Sequence, residues 1–162
     1  DELEYTVPRI RRAVSTAMAQ VIRVLGLDLG TRRIGVALSD PLGLTAQRLT
    51  VLECQGATKD LDAVCALVRQ HAVTTVVVGL PLTMRGECGV EANKAKAFSE
   101  TLRRRLGIPV TLVDERLTTV QGERTLRTMG ASSRRRAELR DQVAAQLILQ
   151  QFLDTAGAHA QR

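Results

Sequence analysis

The stretch Val24-Leu25-Gly26-Leu27-Asp28-Leu29-Gly30-Thr31-Arg32-Arg33-Ile34-Gly35-Val36-Ala37 sets one carboxylate inside an apolar run and follows it with a polar turn. The run from Val21 to Leu29 is short and rich in Val, Ile and Leu, which predicts a strand. Gly30 to Arg33 reads as a turn and Ile34 to Leu38 as a second strand, so the two form a hairpin. Strand alternation puts Val24, Gly26 and Asp28 on one face and Leu25, Leu27 and Leu29 on the other. A charge in such a run is costly unless it is paired or holds a cation. Gly26 and Gly30 leave room beside it for a ligand to approach the backbone. The alternative is that Asp28 merely opens the turn at Gly30.

Outward from this hairpin, Pro41 to Gly43 is a turn and Leu49 to Leu52 ends a third strand. Leu61, Val64, Cys65 and Val68 recur at helical spacing within a helix predicted over Thr58 to Ala72. Thr75 to Leu80 is apolar without alternation, as in a strand buried on both faces of a parallel sheet. A polar, glycine-containing loop follows from Pro81 to about Val90. Ala95, Phe98, Leu102 and Leu106 mark the next helix, stopped by Gly107 with Pro109 just beyond. Val110 to Val113 is a strand. Thr118 and Gln121 suit a capping box opening a helix to Met129, with Gly130 as its stop. Ser132 or Ser133 caps a last helix ending near Asp154. Hairpin-linked strands followed by alternating helices and strands predict an α/β fold: one mixed sheet, its first three strands antiparallel, flanked by helices.

Two more carboxylates occupy apolar positions. Asp141 shares a helical stripe with Ala137, Ala144, Ala145, Ile148, Leu149 and Phe152. Taking a carboxylate out of water costs several kcal/mol even after relaxation, so a cation or an arginine must compensate. In Asp114-Glu115-Arg116, alternation continued from the strand puts Val113 and Glu115 on one face and Leu112 and Asp114 on the other. Glu115 is therefore the candidate ligand, with Asp114 bound locally. Hard divalent cations such as Mg²⁺ or Mn²⁺ take oxygen ligands of this kind. Two ions roughly 3.5–4 Å apart would clamp the attacking and leaving oxygens of a phosphodiester.

With 162 residues the chain suffices for one domain, placed at 21–155 between an N-terminal extension, 1–20, and a short tail, 156–162. One Tyr, two Phe and no Trp leave the core to Leu, Val, Ile and Ala and argue against base stacking as the main binding mode. A net charge of +6 points to polyanionic partners. Arginines cluster at 9, 11 and 12, at 103–105 and around Arg140, besides the candidate phosphate contacts Arg32, Arg33, Arg85, Arg116, Arg134, Arg135 and Arg136. Cys54, Cys65 and Cys88 have no zinc-site spacing and read as reduced thiols, Cys65 in the core. His71 sits at a helix end and His159 in the tail. The first stretch lacks the apolar core of a secretory signal, and no span suits a membrane, so a cytoplasmic location is expected.

Leu27-Asp28-Leu29-Gly30-Thr31-Arg32-Arg33-Ile34-Gly35-Val36-Ala37 resembles the first motif of the YqgF/RuvX-like family of ribonuclease-H-like nucleases. Val78-Gly79-Leu80-Pro81-Leu82, Asp114-Glu115-Arg116-Leu117-Thr118-Thr119, and Asp141 with Ala144-Ala145 and Ile148-Leu149 are similar to its later motifs. The resemblance runs from about Ile22 to Leu153. It implies a mixed five-stranded sheet of ribonuclease-H-like type and places Asp28, Glu115 and Asp141 at the family's acidic, metal-holding positions. It also implies a nuclease for the 5′ end of pre-16S ribosomal RNA, or for Holliday junctions. The partner would then be structured RNA or branched DNA, and the protein a monomer or homodimer.

Two other classes compete. An actin- or sugar-kinase-like ATPase also begins with an Asp-x-Gly-Thr turn, but needs two such domains, and no Walker A sequence is present. A non-catalytic nucleic-acid-binding module would keep the arginines without needing the three acids.

Overall fold

The computed structural model describes residues 22–116 and 133–160. The elements run β1 (Val24–Leu29), β2 (Arg33–Ser39), β3 (Ala46–Glu53), α1 (Ala57–Gln70), β4 (Thr75–Leu80), α2 (Val90–Leu106), β5 (Val110–Asp114) and α3 (Ser133–Ala160). They build one five-stranded sheet in the order β3-β2-β1-β4-β5. The β1–β2 and β2–β3 pairs are antiparallel, and β4 joins β1 and β5 in parallel. This is the expected mixed sheet.

The two sheet faces follow the alternation read in β1. Leu25 and Leu27 meet Ile34, Val36 and Leu38 of β2, Val76 and Val78 of β4, and the buried stripes of α1 and α2. Leu61, Val64, Cys65 and Val68 are the buried residues of α1, as their spacing required. On the other face, Val24, Ala37, Ala46 and Val77 pack against Ala145, Ile148, Leu149 and Leu153 of α3. Val76, Val77 and Val78 are fully buried because α1 and α2 cover one side of β4 and α3 the other.

Local stops behave as their chemistry dictates. Gly107 ends α2 with φ 68° and ψ 18°, the left-handed conformation that costs glycine nothing, and its N–H donates to the Arg103 carbonyl. His71 is the C-cap residue of α1.

The closing helix departs from expectation: it continues past Asp154 to Ala160, so residues 156–160 are helical instead of a tail. Ala156-Gly157-Ala158 holds one glycine between two alanines, a cost of only about 1 kcal/mol once the helix is propagating. The helix expected between Thr118 and Met129 lies outside the described residues.

Two glutamines hold α3 against the edge of the sheet. Gln146 Nε2 donates to the Ala46 carbonyl at 3.0 Å, and Gln150 Oε1 accepts from the Ala46 N–H at 2.9 Å. Gln150 Nε2 also donates to the Leu44 carbonyl at 3.1 Å. Spaced four apart, both side chains leave the same helix face, so the start of β3 fixes the axial position of α3 and hence of Asp141. Among the described residues, no helix is long and apolar enough to cross a membrane.

Candidate active site

Two glycines make a notch in the sheet surface, into which α3 and Glu115 pack. Asp28 pairs with Gly35 of β2, and Gly79 of β4 pairs with Val113 of β5. The parallel β1–β4 register reaches Leu27 opposite Val78, so its next step brings Asp28 beside Gly79. Asp28 thus stands between two glycines on the α3 side of the sheet. A Cβ on Gly35 would collide with the backbone carbonyl of Asp141, and one on Gly79 with the Glu115 carboxylate and the Ile148 side chain. The absent side chains are what allow Asp141 to approach from one flank of Asp28 and Glu115 from the other.

Glu115 arrives by strand alternation. Val113 packs with the α3-side cluster and Leu112 with the opposite one, so Glu115 follows Val113 onto the face that carries Asp28. The Glu115 N–H donates to the Leu80 carbonyl at 3.3 Å, tying the residue to the end of β4. Asp114 faces away and takes the local partner expected of it. Arg116 donates to its carboxylate from Nε at 3.0 Å and from Nη2 at 2.6 Å, which holds the Asp114 carboxyl below its ordinary value.

The acids perturb one another. The Asp28 carboxyl is pushed up to about 7, first by burial, then by the charges of Glu115 and Asp141 and by a hydrogen bond shared with Glu115. Burial also raises Glu115, opposed by that hydrogen bond. Two carboxyls bonded to each other need a proton or a cation between them, since two bare anions in contact repel. Asp141 is raised by burial but partly restored by Arg33, whose Nε donates to Oδ2 at 3.0 Å. That ion pair is only partly covered, the side chains being 28% and 21% exposed.

Asp28 and Glu115 are therefore in contact, while Asp141 flanks them with its carboxylate turned to an arginine. Among the described residues no group of three His, Cys, Asp or Glu side chains is gathered closely enough to cage a metal ion. Sequence reasoning left open whether Asp141 pairs with an arginine, without naming which. The partner is 108 residues away, and nothing in local spacing reveals it.

The basic residues are spread around this end of the sheet. Arg32 is exposed in the β1–β2 turn. Arg116 is engaged by Asp114 and lies against Gly86. Arg85 is exposed in a turn closed by the Gly86 N–H on the Thr83 carbonyl at 2.8 Å, beside Met84, which is 93% exposed. Arg135 and Arg136 are exposed in the first turn of α3, one to two turns before Asp141. The side chain of Arg134 lies outside the described residues.

The architecture is that of the ribonuclease-H-like resolvases. The chain superposes on T. thermophilus RuvC, solved in complex with a Holliday junction substrate, with TM-score 0.56 and 18% identity over 84% of this chain and 96% of that one. It superposes on the fowlpox virus resolvase, solved with Holliday junction DNA, with TM-score 0.54 and 10% identity over 83% and 99%. Residues 22–155 match the RuvX family model, described as Holliday junction resolvase, and the chain belongs to that family. Among its curated relatives, a candidate pre-16S rRNA nuclease of Moorella thermoacetica is 49% identical over 84% of this chain and 97% of its own length. One of the same name from Myxococcus xanthus is 50% identical over 82% and 88%.

Proposed function

We propose that this protein is a divalent-metal-dependent nuclease that hydrolyses phosphodiester bonds in the precursor of 16S ribosomal RNA, with Asp28, Glu115 and Asp141 holding the metal. The observation that carries the reading is the Asp28–Glu115 pair, two carboxyls hydrogen-bonded to each other where Gly35 and Gly79 let Asp141 and Glu115 pack in on either flank. The names of the relatives, at about half identity and over nearly their whole length, favour the RNA substrate.

The donor set fits Mg²⁺ or Mn²⁺. It is all oxygen, anionic once deprotonated, and strained by its own charge, so a divalent cation can replace the shared proton and relieve the repulsion. One or two bound cations supply polarisation of the phosphoryl oxygen and a water of lowered pKa. The chain's own groups do the rest. Asp28 and Glu115 provide fixed oxygens from the ends of β1 and β5, on either side of β4, and Asp141 adds a third from α3. Arg32, Arg33, Arg85, Arg116, Arg135 and Arg136 lie toward this end of the sheet and offer planar forks to backbone phosphates.

Incubating the purified chain with labelled pre-16S leader RNA, with and without Mn²⁺, tests the reading. Metal-dependent cleavage that Asp28→Asn abolishes is expected. No cleavage at any metal concentration, or wild-type rates in Asp28→Asn, would overturn it. The family description favours branched DNA as a second reading, and a labelled four-way junction in the same assay decides between them.

A further inference from the structure

We infer that Arg33 is a positioning residue that holds the Asp141 carboxylate away from the Asp28–Glu115 pair until a substrate phosphate draws the guanidinium off. This rests on the proposed metal-dependent reading of the same site.

The backbone around Asp141 has no slack. Its carbonyl lies against Gly35 too closely for a Cβ, and the Gln146 and Gln150 hydrogen bonds fix the axial position of the helix. What remains adjustable is the direction of the carboxylate. Arg33 is equally anchored: its carbonyl accepts from the Gly30 N–H at 2.9 Å, and the preceding carbonyl accepts from the Cys54 N–H at 2.8 Å. It lies two residues before Gly35 on the same strand face, so its side chain leaves the sheet toward α3.

The resulting Nε–Oδ2 bond ties Asp141 to the β2 side of the notch. Asp141 then acts on Asp28 through its charge, while Glu115 shares a hydrogen bond with it. That bond takes one Asp141 oxygen and sets the direction of the carboxylate, and with it in place the described residues bring no three acids together around a cation position.

The latch is built to open. Both side chains are partly solvated, so the pair is weak by the standard of ion pairs. A phosphodiester approaching the notch meets Arg33 at that solvated edge, and a phosphate oxygen competes with a carboxylate for the same fork. Once Arg33 turns to phosphate, Asp141 is released toward Asp28 and Glu115. Metal and nucleic acid then bind with positive coupling, each raising the affinity for the other by the same factor.

Calorimetric titration of Mn²⁺ into the wild-type chain and into Arg33→Gln, without nucleic acid, tests this. Arg33→Gln is expected to bind Mn²⁺ more tightly, by about three- to tenfold, because it frees Asp141. Arg32→Gln, which removes the same charge one residue away from an exposed position, is expected to change Mn²⁺ affinity less than about twofold. Arg33→Gln is also expected to cleave more slowly despite its tighter metal, a split that a merely structural arginine would not produce. If Arg33→Gln does not fold, Arg33→Met, which keeps an apolar stem and removes the guanidinium, takes its place. The coupling is also measurable in the wild-type chain, where a non-cleavable phosphorothioate RNA should raise Mn²⁺ affinity. Unchanged or weakened Mn²⁺ affinity in the Arg33 variant, with wild-type binding intact, overturns the latch and leaves the nuclease reading standing. A wild-type chain that binds no Mn²⁺ overturns both.

Discussion

Gly35 of β2 and Asp141 of α3 pack backbone against backbone, so closely that the space for a Cβ is taken by the Asp141 carbonyl. A helix normally stands off a sheet by the length of its side chains. Here Gly26 and Gly35 let it settle onto the strands, and the contact at Gly35 is beside Asp28, its register partner.

Gly35→Ala is expected to destabilise the protein by about 3 kcal/mol or more, because the obstructing atoms are backbone and cannot rotate aside. Thermal or urea unfolding reads this directly. A melting temperature equal to wild type would show that α3 is free to lift at no cost.

Stability of the metal-free chain is expected to fall as pH rises from about 4.5 to 8. Asp28 sits near 7 in the folded protein against an ordinary 3.8, and Glu115 is displaced the same way. The folded state therefore holds protons that the unfolded chain has released. Their contribution is complete below the unfolded values and is lost as pH climbs through about 7, on the order of 4 kcal/mol for Asp28. Urea melts at pH 5 and pH 8 without metal measure it, and Mn²⁺ at pH 8 is expected to restore the loss. A chain more stable at pH 8 than at pH 5 without metal would contradict the assignment.

Asp28→Asn is expected to flatten that pH dependence, leave the metal-free fold as stable as wild type at pH 8 or more so, and remove cleavage. The amide keeps the shape and relieves the repulsion with Glu115. Loss of stability at pH 8 would mean that the Asp28 charge has a structural cationic partner.

Asp141→Asn is expected to cost no more than about 1 kcal/mol, since the Arg33 pair is partly solvated, and to weaken Mn²⁺ binding. Melts without metal, beside metal titrations, separate these effects. A loss of about 3–5 kcal/mol would instead mark Asp141 as half of a buried structural pair.

Nucleic-acid binding is expected to depend steeply on salt, because aromatic side chains are nearly absent and the net charge of +6 is carried by clustered arginines. Contact with about four phosphates gives a log–log slope near −3 to −4. Filter binding at graded salt measures it, and affinity that is flat between low and physiological salt would exclude an arginine-dominated interface.

Periodicity alone determined a good part of this molecule. Alternation in Val24 to Leu29 set which residues face α3, and the unbroken Val76-Val77-Val78 announced a strand covered on both sides. Alternation through Leu112 to Glu115 sorted Glu115 from Asp114, and Gly107 marked the end of α2. These are short-range consequences of side-chain direction and backbone sterics, so a few consecutive residues carry them. The order β3-β2-β1-β4-β5 is not carried that way. Only the parallel register brought Asp28 beside Gly79, and only the docking of α3 brought Asp141 to Arg33 across 108 positions. Which acid meets which partner depends on how the two faces of the sheet are filled by distant helices, a competition among long-range contacts that no local window of residues contains.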